Sequence, residues 1–201
     1  MKSTSILLSI MLTATITFAG GYKLNDDAQD FVLKNIDGRP VTLKDYKEAK
    51  GFIVIFTCNH CPFSVAYEDR IIALNKKYEA LGYPVIAINP NDAVKHPDDS
   101  YENMIVRARE KKFNFPYLHD ESQEVAKAFG ATRTPHVYVL QKAGSANVVK
   151  YIGAIDNNSD DTNNASSRFV EDAVDALVAG QIVKVSETKA IGCSIKWKEQ
   201  K

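Results

Sequence analysis

Hydrophobic and polar positions alternate between two periods along this chain, and each change of period marks an element. Phe52-Ile53-Val54-Ile55-Phe56 is a continuous run of β-branched and aromatic residues, which predicts a strand covered on both faces. From Pro62 the spacing changes. Phe63, Tyr67, Ile71, Leu74, Tyr78 and Leu81 recur three or four residues apart, predicting a long amphipathic helix that ends near Gly82, with Glu68, Asp69, Lys76 and Lys77 off its apolar face. Val85-Ile86-Ala87-Ile88 then reads as a second buried strand. Strand, helix and strand together form one right-handed crossover unit of a parallel sheet.

Flanking segments complete an α/β pattern. Phe31-Val32-Leu33 and Val41-Thr42-Leu43 flank Asp37-Gly38 and predict an N-terminal strand pair. A loop holding Asn89-Pro90-Asn91-Asp92 and His96-Pro97 leads to a helix with Tyr101, Met104, Ile105 and Ala108 on one side. Phe115 to Leu118 reads as a short extended segment, followed by a short helix around Val125 and Phe129. His136 to Leu140 and Val148 to Ile152 predict an antiparallel hairpin turning near Gly144. The polar stretch Asp156 to Ser167 is expected at the surface, before a closing helix with Phe169, Ala173 and Leu177. The tail, 180–201, has no strong period and fits either an ordered strap or a mobile arm.

The first residues read as an address label. Lys2 precedes an apolar run from Ile6 to Phe18, and small residues follow at Ala19 and Gly20, as in a secretory signal peptide spanning 1–19. The run is too short for a transmembrane helix and no second one follows, so the chain is not expected to be an integral membrane protein. Residues 20–201 then form one domain, long enough to bury roughly 70% of the surface its unfolded chain exposes. The 25 basic and 25 acidic side chains cancel, which argues against a nucleic-acid footprint or an anionic membrane surface. Three cysteines, Cys58, Cys61 and Cys193, are too few for a disulfide scaffold.

Cys58-Asn59-His60-Cys61 lies where the first buried strand meets the long helix. The unsatisfied amides of a helix's first turn stabilise a thiolate, so Cys58 is the expected nucleophile. Cys61, one turn later, is placed to attack a mixed disulfide on Cys58 and release the partner. Pro62 fits a first-turn position. A protonated or hydrogen-bonding His60 would favour the Cys58 thiolate and make the pair more oxidising. The same spacing also serves half of a zinc site, but no second Cys-x-x-Cys exists.

Taken with Thr134-Pro135 before a later strand, Cys58-Asn59-His60-Cys61-Pro62 resembles the thioredoxin superfamily. Asn89-Pro90-Asn91-Asp92, Tyr151-Ile152-Gly153-Ala154-Ile155-Asp156 and Ala190-Ile191-Gly192-Cys193-Ser194-Ile195-Lys196-Trp197 resemble, more narrowly, an exported bacterial redoxin group of AhpC/TSA-like and TlpA-like proteins. The resemblance implies a thioredoxin-like fold, a central mixed sheet flanked by helices with the N-terminal hairpin as an extension. It also implies thiol-disulfide oxidoreductase activity on thiol- or disulfide-bearing proteins, a partner that regenerates the pair, no bound cofactor, and a periplasmic or secreted location. For Pro135 it implies a cis peptide facing the cysteines, with the Thr134 backbone free to bond an extended substrate. Asn59 and His60 then tune the pair or face the substrate. Two departures stand out. The strand 52–56 lacks the buried acid that thioredoxin carries, leaving water, a backbone group or Glu48 as proton acceptor for Cys61. Thr57 also replaces the usual tryptophan.

A thiol peroxidase is the alternative, although neither cysteine completes a Pro-x-x-x-Thr/Ser-x-x-Cys pattern: Val54 and Cys58 precede Cys61, and Gly51 and Ile55 precede Cys58. Arg133 could stabilise its thiolate. A metal-binding or metallochaperone module using Cys58, Cys61 and His136 is the third reading. His96 and His119 show no ligand spacing, and Trp197 reads as a core or tail anchor. Cys193 could attack an oxidised Cys58, form a transient disulfide, or pack as a small apolar residue.

Overall fold

The computed structural model describes residues 20–160 and 165–199, so the leader 1–19 and part of the polar stretch 156–167 lie outside it. Its main sheet runs β2-β1-β5-β4-β3-β7-β8. The strands are β1 (Leu33–Asn35), β2 (Pro40–Val41), β3 (Gly51–Phe56), β4 (Val85–Asn89), β5 (Tyr117–His119), β7 (His136–Ala143) and β8 (Ala146–Gly153). β3, β4 and β5 are parallel and the outer pairs antiparallel, which makes the sheet mixed. The helices are α1 (Pro62–Tyr78), α2 (Tyr101–Lys111), α3 (Glu124–Phe129) and α4 (Phe169–Val178). Two short strands, β6 (Arg133–Thr134) and β9 (Cys193–Ser194), pair separately. None of the described helices is long and apolar enough to cross a membrane.

β3 is buried at all six positions because both its faces are covered. Ile53 and Ile55 pack with Tyr67, Ile71, Leu74 and Tyr78 of α1 and with Val170, Ala173 and Val174 of α4. Phe52, Val54 and Phe56 face the other layer, with Phe31, Leu33, Phe129 and Tyr138. Gly51 is required where β3 meets β7, since a Cβ there would lie 2.1 Å from the Leu140 carbonyl oxygen.

Several expectations need correction. The N-terminal hairpin exists, but its strands are Leu33–Asn35 and Pro40–Val41, because Thr42 caps a 3-10 turn over Leu43–Asp45 in reciprocal bonds with Asp45. Glu68, expected on the solvent face of α1, is buried because the Arg107 guanidinium clasps it at 2.6 and 2.8 Å. Asp156, expected in a surface loop, is buried under Arg70 and the Tyr67 hydroxyl. Leu81 and Trp197 remain partly exposed, so neither is a core anchor. The tail from Gly180 to Glu199 is an ordered strap.

Candidate active site

Helix α1 begins at Pro62, and its N-cap is Cys61 in extended conformation. Cys58 therefore sits three residues ahead of the cap, and Cys61 is the cysteine that meets the free amides of the first turn. Both sulfurs are covered, Cys58 at 3% and Cys61 at 0% exposure. The Cys61 thiol contacts the Thr134 carbonyl oxygen at 3.2 Å, and Cys58 Sγ lies 3.2 Å from Thr134 Oγ1 and 3.7 Å from Ser64 Oγ. Thr134 is joined to Pro135 by a cis peptide.

The two residues between the cysteines are held from below by one carboxylate. Asp99 is fully buried. Its Oδ1 accepts from the Asn59 amide at 2.7 Å, and its Oδ2 accepts from Asn91 Nδ2 at 2.7 Å and from His60 Nδ1 at 2.5 Å. Asn59 completes the clamp, donating to the Asp98 carbonyl and accepting from the Tyr117 hydroxyl. The polar ends of Asn59 are thus committed to the scaffold. His60 is bonded to Asp99 instead of Cys58, and its ring stacks on His96 at 5.2 Å with an interplanar angle of 5°. The acidic pair Asp98-Asp99 ahead of the Ser100 cap was the sequence signal for this clamp, hidden because acids are common at helix entries.

This setting redistributes charge between the thiols. Hydrogen bonding from Cys58 lowers the Cys61 pKa to about 4 against opposing burial, aided by the Cys193 thiol and by the Ser64 and Cys193 amides. Cys58 is pushed in the opposite direction by its bond to Cys61, by burial and by the Asp99 charge, with the Thr134 hydroxyl opposing. The two thiols titrate as one coupled pair, whose first proton leaves at lower pH than from an isolated thiol while the second is held. The helix cap falls on Cys61, where Cys58 was expected to meet the first turn. A lowered thiol pKa stabilises the reduced state above that pKa, so it favours an oxidising pair. Between pH 5 and 8 reduction should take up one proton per two electrons, and the midpoint potential should fall by about 30 mV per pH unit. A fall of about 60 mV per unit across that window would place both protons on the pair.

Thr134 is not open to an extended substrate. β6 pairs antiparallel with β9, Thr134 opposite Cys193, so this chain's own C-terminal strap occupies the edge. The approach is close: a Cβ on Gly192 would stand 2.2 Å from the Thr134 carbonyl oxygen. Gly192→Ala should displace the strap, cost about 1–3 kcal/mol, and speed alkylation of Cys61 in the folded protein. An unchanged alkylation rate would show that the strap does not cover the site.

Other candidates lie elsewhere. Glu48 is exposed beside Lys50 and Gly82, before β3, at the opposite end of that strand from the cysteines, and cannot take their proton. Arg133 donates to the Gly192 carbonyl at 2.8 Å and so serves the strap. His136 shares the sheet face of Tyr138, away from α1. Its ring packs on Tyr138 and its Nδ1 accepts from the Thr132 amide. Burial first, then Arg133, lower its pKa to about 4. A metal site built from Cys58, Cys61 and His136 is thereby removed. Among the described residues only Cys58, His60 and Asp99 cluster closely enough to ligate an ion, and two of them are bonded to each other.

The family model described as the AhpC/TSA family matches residues 24–151. The chain belongs to the AhpC/TSA family. An uncharacterized conserved protein from Geobacillus kaustophilus superimposes with a TM-score of 0.82 at 38% identity, covering 89% of this chain and 94% of that one. The thiol-disulfide oxidoreductase ResA of Bacillus cereus is 23% identical over 160 residues, 72% of this chain and 86% of the relative. Peroxiredoxin Q of Arabidopsis thaliana is 31% identical over 131 residues, 61% of this chain and 56% of the relative. Solved thioredoxin domains also superimpose, so this AhpC/TSA member has the thioredoxin-like fold.

Proposed function

We propose that the protein is a thiol-disulfide oxidoreductase, exported by removal of residues 1–19, whose Cys58 and Cys61 cycle between dithiol and disulfide against thiols of partner proteins. The observation that carries this reading is the convergence of both sulfurs on Thr134 at the head of α1, Cys58 on its hydroxyl and Cys61 on its carbonyl oxygen, beside the cis Pro135. Two thiols held at one residue are one step from a disulfide, which forms as a partner disulfide takes up their two electrons and their protons. The likeness to ResA supports the same reading. Residues 20–201 act as the working domain, in the periplasm or outside the cell, and a second redox protein resets the pair.

Equilibration against glutathione buffers, with acid quenching and mass analysis, should give one reversible two-electron transition that Cys61→Ser abolishes. No reversible transition would overturn the proposal. A peroxidase reading is favoured by the likeness to peroxiredoxin Q and by the lowered pKa of Cys61. It would require hydrogen peroxide to consume Cys61 faster than it consumes free glutathione. Neither cysteine completes the Pro-x-x-x-Thr/Ser-x-x-Cys pattern of the peroxidases, and this supports disulfide exchange as the stronger reading.

A further inference from the structure

The least covered sulfur at the site belongs to neither member of the Cys-x-x-Cys pair. Cys193 is partly exposed, whereas Cys58 and Cys61 are buried. It is not carried on a loose arm. Ile195 N bonds the Thr132 carbonyl at 3.1 Å, Lys196 N bonds Asn91 Oδ1 at 2.9 Å, and the Lys196 carbonyl accepts from the Asp92 amide and from Gln123 Nε2. These bonds lock the strap in register with β6 and set Cys193 opposite Thr134, whose carbonyl oxygen lies 3.2 Å from Cys61 Sγ. A cysteine that merely filled space would bury its sulfur among apolar side chains.

We propose that Cys193 is the third thiol of the exchange reaction, closing a disulfide with Cys61 and serving as the sulfur that partner thiols meet. This rests on the oxidoreductase reading above. Starting from the Cys58–Cys61 disulfide, Cys193 attacks Cys61 Sγ. The Cys61–Cys193 bond forms as the Cys58–Cys61 bond breaks, the Cys193 proton passes to Cys58, and no electrons leave the protein. A partner thiolate then attacks Cys193 Sγ and expels Cys61 as a thiolate. The partner's second thiol closes the partner disulfide and releases Cys193, so the two electrons of the partner dithiol end on Cys58 and Cys61. The route also explains how a pair sealed at 0 and 3% exposure can exchange with a protein.

Two measurements test it. Cys58→Ser, treated with oxidised glutathione, quenched in acid and mapped by proteolysis and mass spectrometry, should yield an intramolecular Cys61–Cys193 disulfide in most molecules. A stable glutathione adduct on Cys61, or no cross-link, overturns the proposal. Single-turnover oxidation of a dithiol peptide by the Cys58–Cys61 disulfide form should then slow at least roughly tenfold in Cys193→Ser. An unchanged rate overturns the relay while leaving the oxidoreductase reading intact. Failure of the unsubstituted protein to oxidise the peptide at all would overturn both.

Discussion

Replacing Asp99 with alanine is expected to lower folding stability by about 3–5 kcal/mol, because one side chain partners three donors in a dry pocket. His60 is a quarter exposed and can turn to water, but the Asn59 amide and the buried Asn91 amide group have little recourse. Each buried donor left without a partner costs about 1–3 kcal/mol. The chemistry should shift with the stability. Removing the negative charge beside Cys58 lowers the barrier to ionising that thiol, so alkylation of Cys58 should begin at a lower pH than in the unsubstituted protein. Asp99→Asn keeps the volume and one acceptor, but turns an NH2 group toward two other donors, so it should fall between. Urea unfolding together with pH-resolved alkylation separates the two effects. A loss under about 0.5 kcal/mol in the alanine variant, with the Cys58 profile unmoved, would show that the loop holds its shape without the carboxylate.

What was readable in the sequence follows from which interactions are local. β3 and α1 were legible because their periods are written in consecutive residues, and Pro62 marks the helix entry. The cap was harder to place. Moving the helix start by a few residues changes which cysteine caps the helix, and boundaries are where periodicity says least. The clamp on His60 comes from Asp99, 39 residues away, and the occupant of the Thr134 edge comes from a tail without a period. The burial of Glu68 shows the same limit: its helical position predicts solvent, and only the fold brings Arg107 to it. Charged side chains enter the interior in pairs, and the partner's arrival is a tertiary event.

The second large effect lies away from the sulfurs. Arg70 is 9% exposed and donates to Asp156 Oδ2 at 2.6 Å and to the carbonyls of Asn158 and Ser159, while its Nε has no hydrogen-bond partner. Its guanidinium also lies 4.2 Å from the Tyr67 ring centre, and the Tyr67 hydroxyl donates to Asp156 Oδ1. Asp156→Ala should destabilise the protein by about 3–5 kcal/mol, because it strands a buried cation and a buried hydroxyl together. The ion pair need not be what makes the fold stable. Two charges taken out of water lose hydration comparable to what they gain from each other, so Arg70→Met with Asp156→Leu should recover most of the loss. Nine residues of helix, about 13 Å, separate Arg70 from Cys61. The Cys58–Cys61 potential should therefore be unchanged in the double variant, and a shifted potential would mean that this pair holds the head of α1 in place as well as its middle.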